Sequence, residues 1–170
     1  MRPRSTEAAV LLPLYGWPDD PGLLFTERRA DMRRHAGEIS FPGGRRDAGD
    51  ADLSATALRE AEEEIGLDPG VVELGEQLPA TNTFVTGYRI HPFVGRIPHP
   101  SKLALEPNPA EVETVLSFSL DVLRDSYEIR RLIRRGVPLH TPTYEVDGHL
   151  IWGATARILA DLLSRLQAGA

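Results

Sequence analysis

Short apolar runs alternate along the chain with turns marked by Gly and Pro, and two stretches carry apolar residues at helical spacing. Residues 8–15, AAVLLPLY, predict a buried strand, with Pro13 putting part of it at an edge or a bulge. The turn signal Asp19-Asp20-Pro21-Gly22 and the run at 23–26 predict its hairpin partner. Residues 27–37 are charged without clear period and read as a loop or a short helical turn. Residues 39–41 read as a short extended piece that Pro42-Gly43-Gly44 stops, and 45–52 as a polar loop. The strongest helix signal is LSATALREAEEEIG, 53–66. Asp52 is placed to cap it, with Ser54 as competitor; Ala57, Leu58, Ala61 and Ile65 form the apolar face, and Gly66 is the terminator. Strands are expected at 71–78, at 88–97 with a break around Pro92, and at 111–116, the last after a proline-rich loop at 98–109. A short helix at 119–125 follows. Residues 127–135 are basic and read as helix or loop, and 139–150 as a hairpin around Gly148. The final segment, IWGATARILADLLSRLQ, predicts an amphipathic helix whose buried stripe is Ile158, Leu159, Leu162, Leu163 and Leu166. Several strands with one central and one terminal helix do not alternate as a doubly wound sheet does. The expected class is α/β in the α+β sense: a mixed sheet between helices, in a single domain over residues 1–170.

Composition narrows the possible functions. The 170 residues are 41% hydrophobic and 26% charged, an ordinary mixture for a packed domain. An excess of 25 Asp and Glu over 19 Lys and Arg, a formal charge of −6, argues against a nucleic-acid partner. It leaves room for a small anionic substrate bridged by a metal. The absence of cysteine removes disulfides, thiol nucleophiles and Cys-ligated zinc. No apolar run has the length of a membrane span or the form of a targeting segment, so the expectation is a cytoplasmic protein without a membrane partner.

The sharpest chemical feature is REAEEEIG, 59–66. On a helix, Glu60, Glu63 and Glu64 fall at i, i+3 and i+4 and share one side, while Glu62 faces away. Glutamate-rich helices are common on solvated surfaces. Here, however, the helix follows a short strand and a Gly-Gly pair, and Gly43 and Gly44 let main chain approach a bound ion where a Cβ would crowd it. Three repelling carboxylates are stabilised by a hard divalent cation such as Mg²⁺ or Mn²⁺, whereas zinc prefers softer ligands.

Gly44, Asp50, Arg59, Glu60, Ala61, Glu63, Glu64, Gly66 and Leu67 resemble the Nudix box. The half REAEEEIGL matches without departure. The family usually has Glu where Asp50 stands, and seven residues before the Arg; here eight, 51–58, intervene, and an intact helix would absorb the extra one in the preceding loop. The stretch LLFTERRADMRRHAGEISFPGG, 23–44, is similar to the extended motif of the bacterial coenzyme A pyrophosphatase branch. Arg28, His35, Gly37, Phe41, Pro42, Gly43 and Gly44 fall into that pattern, and IWGATARIL near the C-terminus is similar to the same branch.

The resemblance implies a Nudix-type α/β/α sandwich with a mixed sheet, a catalytic loop–helix and a C-terminal helix. It implies Mg²⁺- or Mn²⁺-dependent hydrolysis of coenzyme A, and of its derivatives, to 3′,5′-ADP and 4′-phosphopantetheine. ADP-ribose, nucleotide sugars and nucleoside triphosphates are the alternative substrates, and a non-catalytic nucleotide sensor is the alternative class. Glu60, Glu63, Glu64 and the Gly44 carbonyl are then the metal ligands, with Arg59 organising the carboxylates. Asp50 is either its partner or a turn residue. Glu111 is the candidate general base in a distant loop, with Glu113 and Glu106 as competitors, and Glu38, whose loop adjoins Gly44, is either a residue that approaches the metals or a structural one. Arg28, His35, Arg45, Arg46, Gly43 and Gly44 are candidates for the substrate side, with Arg33 and Arg34 in the same basic stretch and Tyr88 and Phe84 as candidates for the organic end. Trp152 reads as core, and His91, His99, His140 and His149 have no metal-ligand spacing. Homodimers are common for this fold, though no seam for a second copy is identifiable in the pattern.

Overall fold

The computed structural model describes residues 5–33, 37–83, 86–134 and 136–169. Its centre is a parallel pair, β1 (Thr6–Tyr15) and β7 (Tyr88–Ile97), in register over ten residue pairs from Thr6↔Tyr88 to Tyr15↔Ile97. β2 (Gly22–Arg28) forms the expected hairpin with the end of β1, pairing Leu14 with Leu23 and Tyr15 with Gly22. β1 and β2 then diverge, and the wedge is filled from a single turn: β3 (Ile39–Ser40) pairs with β2, and β4 (Gly43–Arg45) pairs with β1. Pro42-Gly43-Gly44 therefore does not stop an extended piece. It carries the chain from one strand of the wedge to the other.

β8 (Val112–Ser119) covers the far edge of β2, while β5 (Glu73–Gln77) and β6 (Thr81–Asn82) share the far edge of β7. All pairings in this eight-stranded sheet other than β1–β7 are antiparallel, so the sheet is mixed as expected.

Pro13 and Pro92 both lie inside the central pair, and neither breaks it. The Leu11 N–H donates to the Pro42 carbonyl, so odd residues of β1 aim their main-chain groups away from β7. Pro13 lies between the stretch paired with β4, which ends at Val10, and the stretch paired with β2, which begins at Leu14. Pro92 likewise sits where β7 changes partner from β6 to β5, and its carbonyl receives the Leu78 N–H. In both strands the missing donor faces the changeover rather than the parallel ladder.

α1 (Leu53–Ile65) packs on one face of this sheet and α3 (Gly153–Ala168) on the other. Because β1 is covered on both sides its apolar run is continuous: Ala9 and Leu11 meet Ala57, Ala61 and Ile65 of α1, whereas Leu12 and Leu14 join the cluster of Leu159, Leu162 and Leu163. α1 begins and ends where predicted. Asp52 accepts the Ala55 N–H, and Gly66 terminates the helix in the left-handed region at φ 67°. Ser54 donates its hydroxyl to Asp52 instead of capping.

A short helix, α2 (Leu120–Asp125), leads into a separate three-stranded sheet of β9 (Tyr127–Arg134), β10 (Val137–Val146) and β11 (His149–Ile151). The predicted 139–150 hairpin is the β10–β11 turn. The basic stretch at 127–134, read as helix or loop, is instead a strand. Ile129 and Ile133 on it remain exposed, so no one-sided alternation marked it. Among the described residues no helix is long and apolar enough to cross a membrane.

A Cβ at Gly66 would lie 2.8 Å from the Glu106 nitrogen as well as being strained at positive φ. Gly66→Ala is therefore expected to cost more than about 1 kcal/mol in urea unfolding. A midpoint equal to wild type would show that the 105–108 segment is not packed against the end of α1.

Candidate active site

The site is built where α1 crosses β4. Small residues on the inner face of α1, Ala57 and Ala61, bring the helix close to the sheet. Close packing then sets its carboxylates against main chain. A Cβ at Gly44 would stand 2.4 Å from Glu60 Oε1, and one at Gly43 would stand 2.3 Å from the Ala9 carbonyl oxygen. A side chain at Gly43 would collide with the main chain of β1, and one at Gly44 would displace the Glu60 carboxyl. The N–H of Gly43 donates to Glu64 Oε2 at 3.4 Å.

Burial pushes the Glu64 carboxyl up to about 8, with the charge of Glu60 next and that of Glu111 also raising it; the Gly43 N–H and Arg28 oppose the rise. Glu60 is raised as well, by burial first, against the lowering effect of Arg59. Glu63 is turned onto Arg59, which donates to its Oε2 at 3.2 Å. Glu62 is exposed, as the helical wheel requires. Among the described residues no three His, Cys, Asp or Glu side chains stand ready-made as a metal ligand set. Glu60 and Glu64 nevertheless fit a divalent cation. They are two crowded carboxyls set against a glycine cradle that a Cβ would fill, and a bound cation would relieve their mutual repulsion.

Arg59 organises this ridge. Its Nε and Nη2 donate to the two oxygens of Asp50 at 2.8 and 3.0 Å, its Nη1 donates to Glu60 at 3.1 Å, and Nη2 also reaches the Arg45 carbonyl at 3.1 Å. Asp50 serves in both of the ways left open by the sequence. It pairs with Arg59, and it closes its own turn by accepting the Asp47 N–H at 2.9 Å, with the Thr56 hydroxyl donating at 2.8 Å. α1 runs unbroken from Leu53 to Ile65.

The remaining candidates divide. Arg28 lies on the α1 side of β2, where its charge lowers Glu64. Arg45 is exposed at the end of β4. Arg46 does not reach toward the ridge; its guanidinium donates to the carbonyls of Asp50 and Ala51 and steadies the loop. Glu111 stands in the turn before β8, not in the strand with Glu113, and its charge bears on both Glu60 and Glu64. Glu113 acts on Arg29 instead, and Glu106 packs over Gly66. Tyr88 is half-buried at the start of β7. Arg34, His35 and Phe84 lie outside the described residues.

On the opposite face of β2, a cavity of about 430 Å³ is lined by Glu27, Glu38, Ile39, His149 and Trp152, together with the Gly148 turn. Glu38 thus faces this cavity rather than the carboxylate ridge. Trp152, expected in the core, is half-buried at the N-terminus of α3, and His149, to which the sequence assigned nothing, lies tilted at 50° to the Phe118 ring, 6.3 Å between centroids. Spacing carried no signal for either residue, since the cavity joins segments far apart in the chain.

Comparison with known proteins agrees with this geometry. A family model described as the NUDIX domain matches residues 6–136. A protein of Photorhabdus laumondii named as an uncharacterized Nudix hydrolase, NudL, is 41% identical over 165 residues, which cover 96% of this chain and 86% of that protein. Among solved structures, a MutT protein from Methanosarcina mazei aligns over 98% of both chains with a TM-score of 0.63 at 16% identity. The NUDIX domain of Shewanella oneidensis NrtR, solved with ADP ribose, aligns over 95% of this chain and 88% of its own with a TM-score of 0.58 at 18% identity. At these identities the two structures speak to the fold.

Arg59, chiefly through its hydrogen bond, holds the Asp50 carboxyl below the ordinary carboxylate range. A depressed folded-state pKa gives stability that is present above the unfolded value, about 4, and lost as pH falls below it. Asp50→Asn is therefore expected to lower the Tm at pH 7, with the gap to wild type narrowing progressively as pH falls below about 4 in thermal unfolding. A gap independent of pH would show that the pairing with Arg59 is not the source of the stability.

Proposed function

This chain belongs to the Nudix family and is a Nudix hydrolase acting on a diphosphate compound, and we propose that its substrate is coenzyme A. Water adds to one phosphorus of the pyrophosphate, the bridging P–O bond breaks, and 3′,5′-ADP and 4′-phosphopantetheine leave, with protons passing to solvent. The observation that carries the substrate reading is the 430 Å³ cavity. The two stretches similar to the coenzyme A branch, 23–44 and 151–159, meet around it through Glu38, Ile39 and Trp152. Its volume lies in the range of small-molecule sites. Arg28, from the same extended motif, is carried by β2 to the other face, beside Glu64. The segments that distinguish the branch therefore lie against the ridge and against a space able to take an organic group.

In this reading Glu60 and Glu64 hold Mg²⁺ or Mn²⁺, with Glu63 and the Gly44 carbonyl completing the protein's share. The bound ion supplies neutralisation of diphosphate charge and a water of lowered pKa. Arg59 would keep Glu60 and Glu63 aligned, Arg28 and Arg45 would offer guanidinium donors to phosphate oxygens, and the Glu111 carboxylate would accept the proton of the attacking water.

Incubating the purified chain with coenzyme A and Mg²⁺ or Mn²⁺, followed by chromatographic separation, should yield both products only when metal is present. Dephospho-coenzyme A, ADP-ribose, nucleotide sugars and triphosphates run in parallel should be cleaved more slowly. Faster cleavage of any of these would reassign the substrate. Glu64→Gln keeps the size of the side chain and removes its capacity for negative charge. It should leave the Tm within a few degrees of wild type while lowering turnover by at least about 100-fold. Near-normal turnover would remove Glu64 from the ligand set.

A further inference from the structure

A short path of main-chain hydrogen bonds joins the carboxylate ridge to the turn that carries Glu111, and Arg29 closes that path from the far side. The Asn108 N–H donates to the carbonyl of Glu64 itself at 2.8 Å, and the Glu106 N–H to that of Ile65 at 2.9 Å. The Asn108 carbonyl receives the N–H groups of Glu111 at 3.1 Å and Val112 at 2.9 Å, while its side-chain Oδ1 receives that of Ala110 at 3.0 Å. Arg29 then takes hold twice. Its N–H donates to the Glu111 carbonyl at 3.1 Å, and its Nη1 donates to the Pro109 carbonyl at 2.6 Å. Asp31 grips the same guanidinium as a fork, accepting from Nε at 2.9 Å and Nη2 at 2.6 Å, which leaves Nη1 aimed at Pro109.

We propose that Arg29 is a positioning residue, which pins the 108–111 turn so that the Glu111 carboxylate stays beside Glu60 and Glu64. The proposal rests on the reading above, in which the ridge holds a divalent cation with Glu111 at its side. A tether is needed there. Glu111 sits on a surface turn, and its charge bears unfavourably on both Glu60 and Glu64, so nothing in that local environment holds it in place by itself. Arg29 and Asp31 have side-chain exposures of 37% and 65%, so their pairing adds little to stability, and orientation is what the arrangement delivers. Arg29 also stands next to Arg28, so one residue of β2 and its neighbour in the following loop bring a cation and an anion to the same ridge.

The test is Mn²⁺ binding to the full chain, followed by electron paramagnetic resonance of the free ion, for wild type, E111Q, R29A, R29K and the R29A/E111Q double variant. Thermal unfolding of each is measured in parallel. E111Q and R29A should each weaken binding by about tenfold. The double variant should bind no more weakly than E111Q alone, because Arg29 acts through Glu111. R29K, which keeps one donor for the Pro109 carbonyl, should recover part of the loss, and all variants should unfold close to wild type. If E111Q weakens binding and R29A does not, or if the two losses multiply in the double variant, Arg29 does not position Glu111. If Mn²⁺ binds and neither single change alters its affinity, the placement of Glu111 at the cation fails and the proposal fails with it.

Discussion

Lack of room between α1 and β4 governs the site. Glu60 and Glu64 are pressed against the main chain of Gly43 and Gly44, where a side chain at Gly43 would collide with β1 and one at Gly44 would push the Glu60 carboxyl aside. Bringing two carboxylates into that crevice costs solvation, seen in the raised pKa values of both, and a cation is the partner that recovers it. The alanines on the inner face of α1 permit the approach, and the Asp50–Arg59 pair keeps the ridge from splaying. Glu60 and Glu64 are therefore held by packing and hydrogen bonding, which is the arrangement a preorganised site requires.

The sheet solves a related problem. β1 and β2 begin as a hairpin and then part, and one short segment, residues 39–45, supplies a partner to each. That wedge places the glycines under α1 on one side and leaves the cavity with Trp152 and His149 on the other. The two faces thus take different tasks, acidic and cation-seeking on one, partly aromatic on the other, joined through a strand whose successive residues Glu27 and Arg28 point to opposite sides.

Local signals made the two long helices, the central strands and the Glu ridge legible, because each carries a period or a cap that survives without its neighbours. Asp52 and Gly66 bound α1 by their own chemistry. What escaped detection was whatever depends on a distant partner. Gly43-Gly44 looks like a breaker because its strand character comes from pairing with Ala9 and Val10. Residues 127–134 lack alternation because both faces of β9 are largely exposed. Trp152 looks like core until the Gly148 turn and Glu38 are seen to leave a space beside it. Arg29 sits unmarked in a run of charges, and only the carbonyl of Pro109, eighty positions away, distinguishes it from Arg33.

The two prolines of the central pair bear on how reliably the chain finds its alignment. Each lacks its donor on the side away from the parallel ladder, at a changeover between neighbouring strands. Sliding β1 by one position against β7 would turn Pro13 inward, facing a carbonyl it cannot satisfy. The same slip would carry Leu12 and Leu14 to the face that belongs to α1. An unpaired buried acceptor costs about 1–3 kcal/mol, so misaligned pairings are penalised in the backbone before side-chain packing has begun to discriminate. Residues usually read as strand breakers thus act here as alignment pins, rejecting the neighbouring registers while leaving the native one intact.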